Sequence, residues 1–171
     1  MTAEAPPGAP QARPASSAGE PPPMPDHSLA FRIRRFLNWF PLGLTYAAFY
    51  MGRYNFNVTK DAIAHTFDLQ RSDVGKVATV GFWVYAAAVM LNGPLADRFG
   101  GKKAILTGAV GAAIFNALIA GFFGLGIATK ETALWGLTLL YAGNSYFQSF
   151  GALSVVKVNA PWFHTRERGV F

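Results

Sequence analysis

The 171-residue chain contains no cysteine, which excludes a disulfide framework, thiolate chemistry and a cysteine-ligated zinc cluster. Charge is scarce as well. Asp, Glu, Lys and Arg together make up 14% of the residues, where a soluble domain carries about a quarter. The three histidines, His27, His65 and His164, are scattered in or beside expected loops with no metal-ligand spacing between them. No nucleophile–base grouping and no phosphate-cradling glycine loop occurs, so the expected protein is not an enzyme and uses no cofactor or metal. The net charge of +6 would suit nucleic acid, but the basic residues sit mainly at the ends of apolar runs. Membrane topology demands that placement, so the expected partner is a lipid bilayer and not nucleic acid.

What the chain does have is apolar sequence, 51% hydrophobic and 15% aromatic, gathered into long runs. About 20 apolar residues are needed to cross the bilayer core. Four stretches qualify, at about 36–64, 74–95, 104–124 and 133–156. Within lipid, backbone polar groups must be satisfied internally, so these stretches are expected to be helices. The fold class is therefore an all-α membrane protein with about four transmembrane helices. Residues 1 to about 30 form a separate region that holds eight of the eleven prolines, mixed with Ala, Ser, Gly and Glu. Such a segment buries too little apolar surface to offset chain entropy and is expected to be a disordered tail. It lacks the apolar core of a signal peptide. Residues 31–171 are read as the membrane bundle.

The positive charges set a direction. Arg32, Arg34 and Arg35 precede the first span, Arg98, Lys102 and Lys103 lie between the second and third, and Lys157, Arg166 and Arg168 follow the fourth. On the opposite side Lys60, Arg71, Lys76 and Lys130 are diluted by Asp61, Asp68, Asp73 and Glu131. This bias places both ends of the chain in the cytoplasm, in an integral protein expected in a bacterial inner membrane.

Three polar patterns interrupt the apolar runs. In the first span Tyr46, Tyr50, Arg53 and Asn57 recur at helical spacing on one face. A charge at membrane depth costs at least about 2.5–3.5 kcal/mol, so Arg53 needs a partner or a wet cavity. Its planar fork suits phosphate or carboxylate. Two readings stand: an anion-binding side chain in a central cavity, or an arginine snorkelling to the headgroups from a shorter helix. In the fourth span Tyr141, Asn144 or Ser145, Gln148 and Gly151 form a second polar face, and Tyr85 and Asn92 punctuate the second. These serve either as interhelical glue or as cavity lining. Between the second and third spans, Gly93 to Lys103 reads G-x-x-x-D-R-x-G-x-K-K. Gly93 and Gly100 would permit a tight turn and close backbone approach. Asp97 would accept hydrogen bonds at a helix start, and Arg98, Lys102 and Lys103 would hold the loop inside. In the third span small residues recur every fourth position at Ala104, Gly108 and Ala112, and again at Ala120 and Gly124 after Asn116 interrupts the series, a stripe expected to serve packing.

The loop around Asp97 resembles the signature loop of the major facilitator superfamily. Tyr50-Met51-Gly52-Arg53-Tyr54-Asn55-Phe56 resembles the first-helix motif of its organophosphate:phosphate antiporter branch. Phe147-Gln148, Gly151, Trp162 and Glu167-Arg168-Gly169 resemble that branch's fourth helix and the entry to its fifth. The resemblance runs from about Phe40 to Phe171. It implies a carrier that exchanges phosphate esters for phosphate, or a membrane sensor of sugar phosphates on the same fold. Arg53 would bind the phosphate, Tyr46, Tyr50, Asn57, Tyr85 and Gln148 would line the site, and Gly93, Asp97, Arg98, Gly100, Lys102 and Lys103 would form a gating loop. The implied fold has twelve helices in two halves of six, so this chain would be its N-terminal part and its partners would include the missing C-terminal helices. A self-contained four-helix protein that oligomerises is the alternative. One departure bears on the substrate. The glycerol-phosphate and hexose-phosphate carriers of that branch have a lysine four residues after a tyrosine in the second helix, and here Tyr85 is followed at that spacing by Val89. Their Gly-Trp-Pro-Pro segment is replaced by Gly151-Ala152-Leu153-Ser154.

Overall fold

A computed structural model describes residues 27–163. Four α-helices follow one another on short connections: α1 (Leu29–Thr66), α2 (Arg71–Phe99), α3 (Gly101–Gly124) and α4 (Lys130–Asn159), the last running into a single 3-10 turn at Ala160–Trp162. No strand occurs among the described residues. Most of the expected tail, His164, Arg166 and the Glu167-Arg168-Gly169 motif lie outside the described residues.

Local chemistry sets the helix ends. The Ser28 side chain accepts the Phe31 N–H at 3.3 Å and starts α1 seven residues ahead of the apolar run. Arg32, Arg34 and Arg35 therefore lie within α1, not before it. At 38 residues, α1 is about 57 Å long and overshoots a hydrocarbon core of about 30 Å. Pro41 and Pro94 sit inside α1 and α2. Membrane helices tolerate them because side chains and neighbouring helices can re-satisfy the backbone group that a proline frees. A reciprocal capping box between Thr129 and Thr132 opens α4. At the turn between α1 and α2, Asp68 takes a left-handed φ of 52° and pairs with Lys130 Nζ at 2.7 Å. That bond holds the Asp68 carboxyl below its ordinary range and lifts the Lys130 ammonium above its own. Both groups are exposed, so the pair is a weak tether between this turn and the start of α4.

Helix α4 is the hub and packs along α2 and α3. Small residues make this possible. A Cβ at Gly108 would lie 2.9 Å from the Phe147 carbonyl oxygen, and one at Gly111 only 2.1 Å from the Phe147 ring. Gly143 of α4 makes way for Phe115 on the same seam, and on the other flank Gly81 of α2 makes way for Tyr141. Three apolar clusters fill the seams. Leu42, Phe49, Ile105, Ala112 and Val158 join α1, α3 and α4. Phe56, Ala64, Val74, Val77 and Leu137 join α1, α2 and α4. Ala96, Ala104 and Phe150 close the end near Gly100.

The third-span stripe is only partly used. Ala104, Gly108 and Ala112 are buried, whereas Ala120 and Gly124 are exposed. The reason is geometric. At 3.6 residues per turn, a four-residue repeat drifts by about 40° each step, so Gly124 has rotated about 200° away from Ala104. The expectation of a single packing face over the whole span is corrected on that ground.

The distribution of polarity is that of a membrane protein. The buried polar residues are Asn92, Asn144, Ser145, Gln148, Ser149 and Ser154, and large apolar side chains such as Phe82, Trp83, Met90, Leu91 and Trp135 face outward. Two helices, α2 and α3, are long and apolar enough on their own to cross a membrane. Helix α4 carries five of these six buried polar residues, and α1 carries its basic N-terminal turn and Arg53, which lowers the hydropathy of both without removing them from the bundle. Both described ends lie at the Gly100 end. The Phe31 ring lies 5.9 Å from Trp162 in a tilted contact, and Lys157 near the end of α4 reaches α2.

Candidate functional site

Arg53 stands in the middle of α1 and is half-buried against α2 and α4. Its Nε donates to Gln148 Oε1 at 2.9 Å. Its guanidinium lies over the Tyr85 ring at 4.5 Å and the Tyr50 ring at 5.3 Å. Tyr50 in turn meets Tyr46, hydroxyl to hydroxyl, at 3.4 Å. Three helices thus bring together five of the six side chains read as a site from the sequence: Arg53, Tyr46, Tyr50, Tyr85 and Gln148. The sixth, Asn57, shares their face of α1 but is exposed and joins none of these contacts.

Among the described residues no carboxylate pairs with Arg53. The cation is stabilised by ring faces and one amide oxygen, each a neutral group. Cation–π contacts are worth about 0.5–2 kcal/mol, more when desolvated, and a hydrogen bond from a charged donor about 1.5–3 kcal/mol. Together these offset the cost of holding the group within the bundle and leave its positive charge uncancelled. Of five N–H donors on an arginine, the protein engages the Nε–H, and a second shell backs that bond. Gln148 Nε2 donates to Asn144 Oδ1, and Asn144 Nδ2 donates to the backbone carbonyl of Ala112 in α3 at 3.0 Å.

The polar residues of α2 divide by role. Tyr85 lines the site. Asn92 is fully buried, donates to Ser149 Oγ at 2.8 Å and accepts from the Tyr146 hydroxyl at 3.2 Å, so it joins α2 to α4. A cleft of about 570 Å³ lies between α1, α3 and α4. Its threonines are spent on their own helix: Thr59 bonds the Asn55 carbonyl and Thr66 the Ala62 carbonyl. No charged side chain lines it.

The segment from Gly93 to Lys103 differs from the expected loop. Helix α2 continues through Asp97 and Arg98 to Phe99, and the whole turn is made by Gly100 at φ 80°. A side chain is disfavoured there, and glycine supplies the conformation. Gly93 is helical with open space where a Cβ would stand, so it provides neither turn nor close approach. The close approach is at Gly101, where a Cβ would lie 2.7 Å from Val158. Asp97 does not cap α3, whose N-cap is Gly100 without a side-chain bond. It pairs instead with Lys157 Nζ at 2.5 Å, and the same ammonium donates to the Gly93 carbonyl at 2.9 Å. Lys157 thereby fastens the end of α4 to the end of α2. Arg98, Lys102 and Lys103 are exposed. In the sequence Lys157 reads only as one more basic residue after an apolar run, and its partner is 60 residues away.

A bundle with an apolar exterior and polar side chains on its inner seams has the build of a membrane protein. The sequence matches the Major Facilitator Superfamily over residues 42–171, and the chain belongs to that family of transporters. Its four helices make up part of the family's membrane fold. It is 32% identical over 126 residues to the membrane sensor protein UhpC of Salmonella typhimurium, covering 74% of this chain and 26% of the relative. The Escherichia coli membrane sensor protein UhpC is 30% identical over 126 residues, 74% of this chain and 27% of the relative. A phosphoglycerate transporter protein of S. typhimurium is 30% identical over 139 residues, 81% of this chain and 27% of the relative. The chain thus spans about a quarter of the length of these curated relatives. No solved structure gives a significant match.

Proposed function

We propose that this chain carries the anion-binding flank of a secondary carrier for organic anions, with phosphate esters exchanged for phosphate. The single observation behind this reading is Arg53, a guanidinium inside the bundle with no carboxylate partner among the described residues and with only its Nε engaged. A carboxylate partner would make it a structural ion pair. Without one, an oxyanion is the complement that the planar fork accepts best. Tyr46, Tyr50 and Tyr85 would line the substrate path, and the Asp97–Lys157 junction at the Gly100 turn would be part of the cytoplasmic gate. The charge bias supports an inner-membrane protein with Ser28 and Trp162 at the cytoplasmic face.

A sensor on the same fold is the second reading, favoured by the two relatives named as membrane sensor proteins. Liposomes containing the whole carrier fold, with this chain as its N-terminal part, and loaded with unlabelled phosphate separate the two. The carrier reading expects saturable uptake of labelled external phosphate, driven by the internal pool. Saturable binding without flux selects the sensor. Neither flux nor binding of phosphate or a three-carbon phosphate ester overturns the anion site itself.

A further inference from the structure

Arg53 is held through a relay whose polarity is set at its far end. The relay runs from Arg53 Nε to Gln148, from Gln148 to Asn144, and from Asn144 to the Ala112 carbonyl. Its two termini have fixed sense. A guanidinium N–H can only donate and a backbone carbonyl can only accept. Between them stand two amides, each with one donating and one accepting end. One arrangement alone satisfies all three bonds. Asn144 must give its NH2 to Ala112, so it shows its oxygen to Gln148. Gln148 must then give its NH2 to that oxygen, so it shows its own oxygen to Arg53.

Burial makes the polarity strict. Asn144 and Gln148 are 1% and 2% exposed, so water cannot replace a lost partner. The Ala112 carbonyl is available because a carbonyl oxygen has two lone pairs and its own helix uses one. The approach is permitted by Gly108 and Gly111, which bring α4 against the backbone of α3.

We infer that Asn144 is a positioning residue for the anion site: bound to the α3 backbone, it orients Gln148 so that Arg53 is gripped by its Nε and presents its two terminal amino groups end-on. This rests on the reading of Arg53 as the anion anchor. An arginine can chelate an oxyanion through Nε and one terminal nitrogen, or through both terminal nitrogens. With Nε committed to Gln148, only the second mode remains. The ligand class is therefore an oxyanion that offers two oxygens to the tip of the fork, such as phosphate, a phosphate monoester or a carboxylate.

The test reads the relay and the ligand separately in detergent-solubilised protein. Asn144→Leu keeps the forked shape and removes both bonds, and Asn144→Ser, which is smaller and still polar, serves where the bulkier leucine variant does not fold. The Nε–Hε proton of Arg53, followed by 15N–1H NMR, is expected to exchange slowly with water in the parent and about tenfold or more faster in either variant. Affinity for inorganic phosphate is expected to fall about tenfold, the range of one charge-assisted hydrogen bond. The double variant Asn144→Leu/Gln148→Leu should lose no more than Gln148→Leu alone, because both act through one Nε–H. Unchanged Hε exchange in a folded variant overturns the relay. Faster exchange with unchanged phosphate affinity overturns the positioning role. If the parent itself binds no phosphate, the anion reading fails, while the exchange rates still decide the relay.

Discussion

Gln148→Glu is expected to abolish anion binding while leaving the bundle folded. The wild-type amide oxygen lies 2.9 Å from Arg53 Nε. A carboxylate there converts a neutral grip into an ion pair. At about 4 Å, and with the screening of a partly buried site, two unit charges attract by about 4 kcal/mol. That attraction competes directly with the anion for one cation, and the carboxylate also repels the ligand. The new side chain cannot donate to Asn144 Oδ1, so two acceptors would face each other in a buried seam and the relay would break at its middle. Phosphate affinity should fall about 100-fold or more. Gln148→Leu, which loosens Arg53 without neutralising it, should cost only about tenfold. Equilibrium binding of labelled phosphate checks this, with melting temperature as the control for folding. Binding by the glutamate variant within about threefold of wild type would mean that Arg53 does not recognise the anion.

Gly111→Val is expected to have the largest effect on stability. Any Cβ at that position would stand 2.1 Å from the Phe147 ring, and valine adds two methyl groups beyond it. Phe147 has little room to move away, since its ring meets Phe115 at 5.7 Å in a tilted contact and Tyr146 at 5.2 Å edge-on. Helices α3 and α4 must then separate. Overpacking alone costs about 1–3 kcal/mol, and here it also pulls Asn144 from the Ala112 carbonyl one residue along α3. Gly121→Val on the same helix is the control, because nothing lies within 4 Å of its would-be Cβ. The melting temperature in detergent should drop by several degrees for Gly111→Val and stay within a degree for Gly121→Val. Equal melting temperatures for the two variants would remove close α3–α4 packing from the account.

The sequence carried some of this plainly and hid the rest for definable reasons. The four helices were visible because runs of about 20 apolar residues admit no other structure in lipid. The face shared by Tyr46, Tyr50 and Arg53 was visible because residues three and four apart stay within a narrow arc. The same rule applied over twenty residues of α3 misleads, since the drift accumulates and carries Ala120 and Gly124 off the seam. The segment from Gly93 to Lys103 looked like a loop because glycine, proline and charge cluster there. Yet Pro94 is accommodated within α2, and a single glycine makes the turn. The partners of Asp97 and Arg53 lie 60 and 95 residues away, beyond any local pattern. Asn144 was visible only as one of two polar residues on a face. Its partner in α3 is a backbone carbonyl, which leaves no mark on residue type.

The central claim is that Arg53 recognises an oxyanion with its fork and does not merely carry charge towards the headgroups. Arg53→Lys separates the two, because lysine keeps the charge and the reach but cannot match two oxygens at once. The decisive measurement is the phosphate affinity of Arg53→Lys beside Arg53→Ala and the parent protein, under one set of conditions. The account predicts that the lysine variant falls about as far as the alanine variant, both about 100-fold or more below the parent, as for a lost bidentate charge-assisted contact. Wild-type affinity in the lysine variant would contradict it and return Arg53 to the bilayer surface.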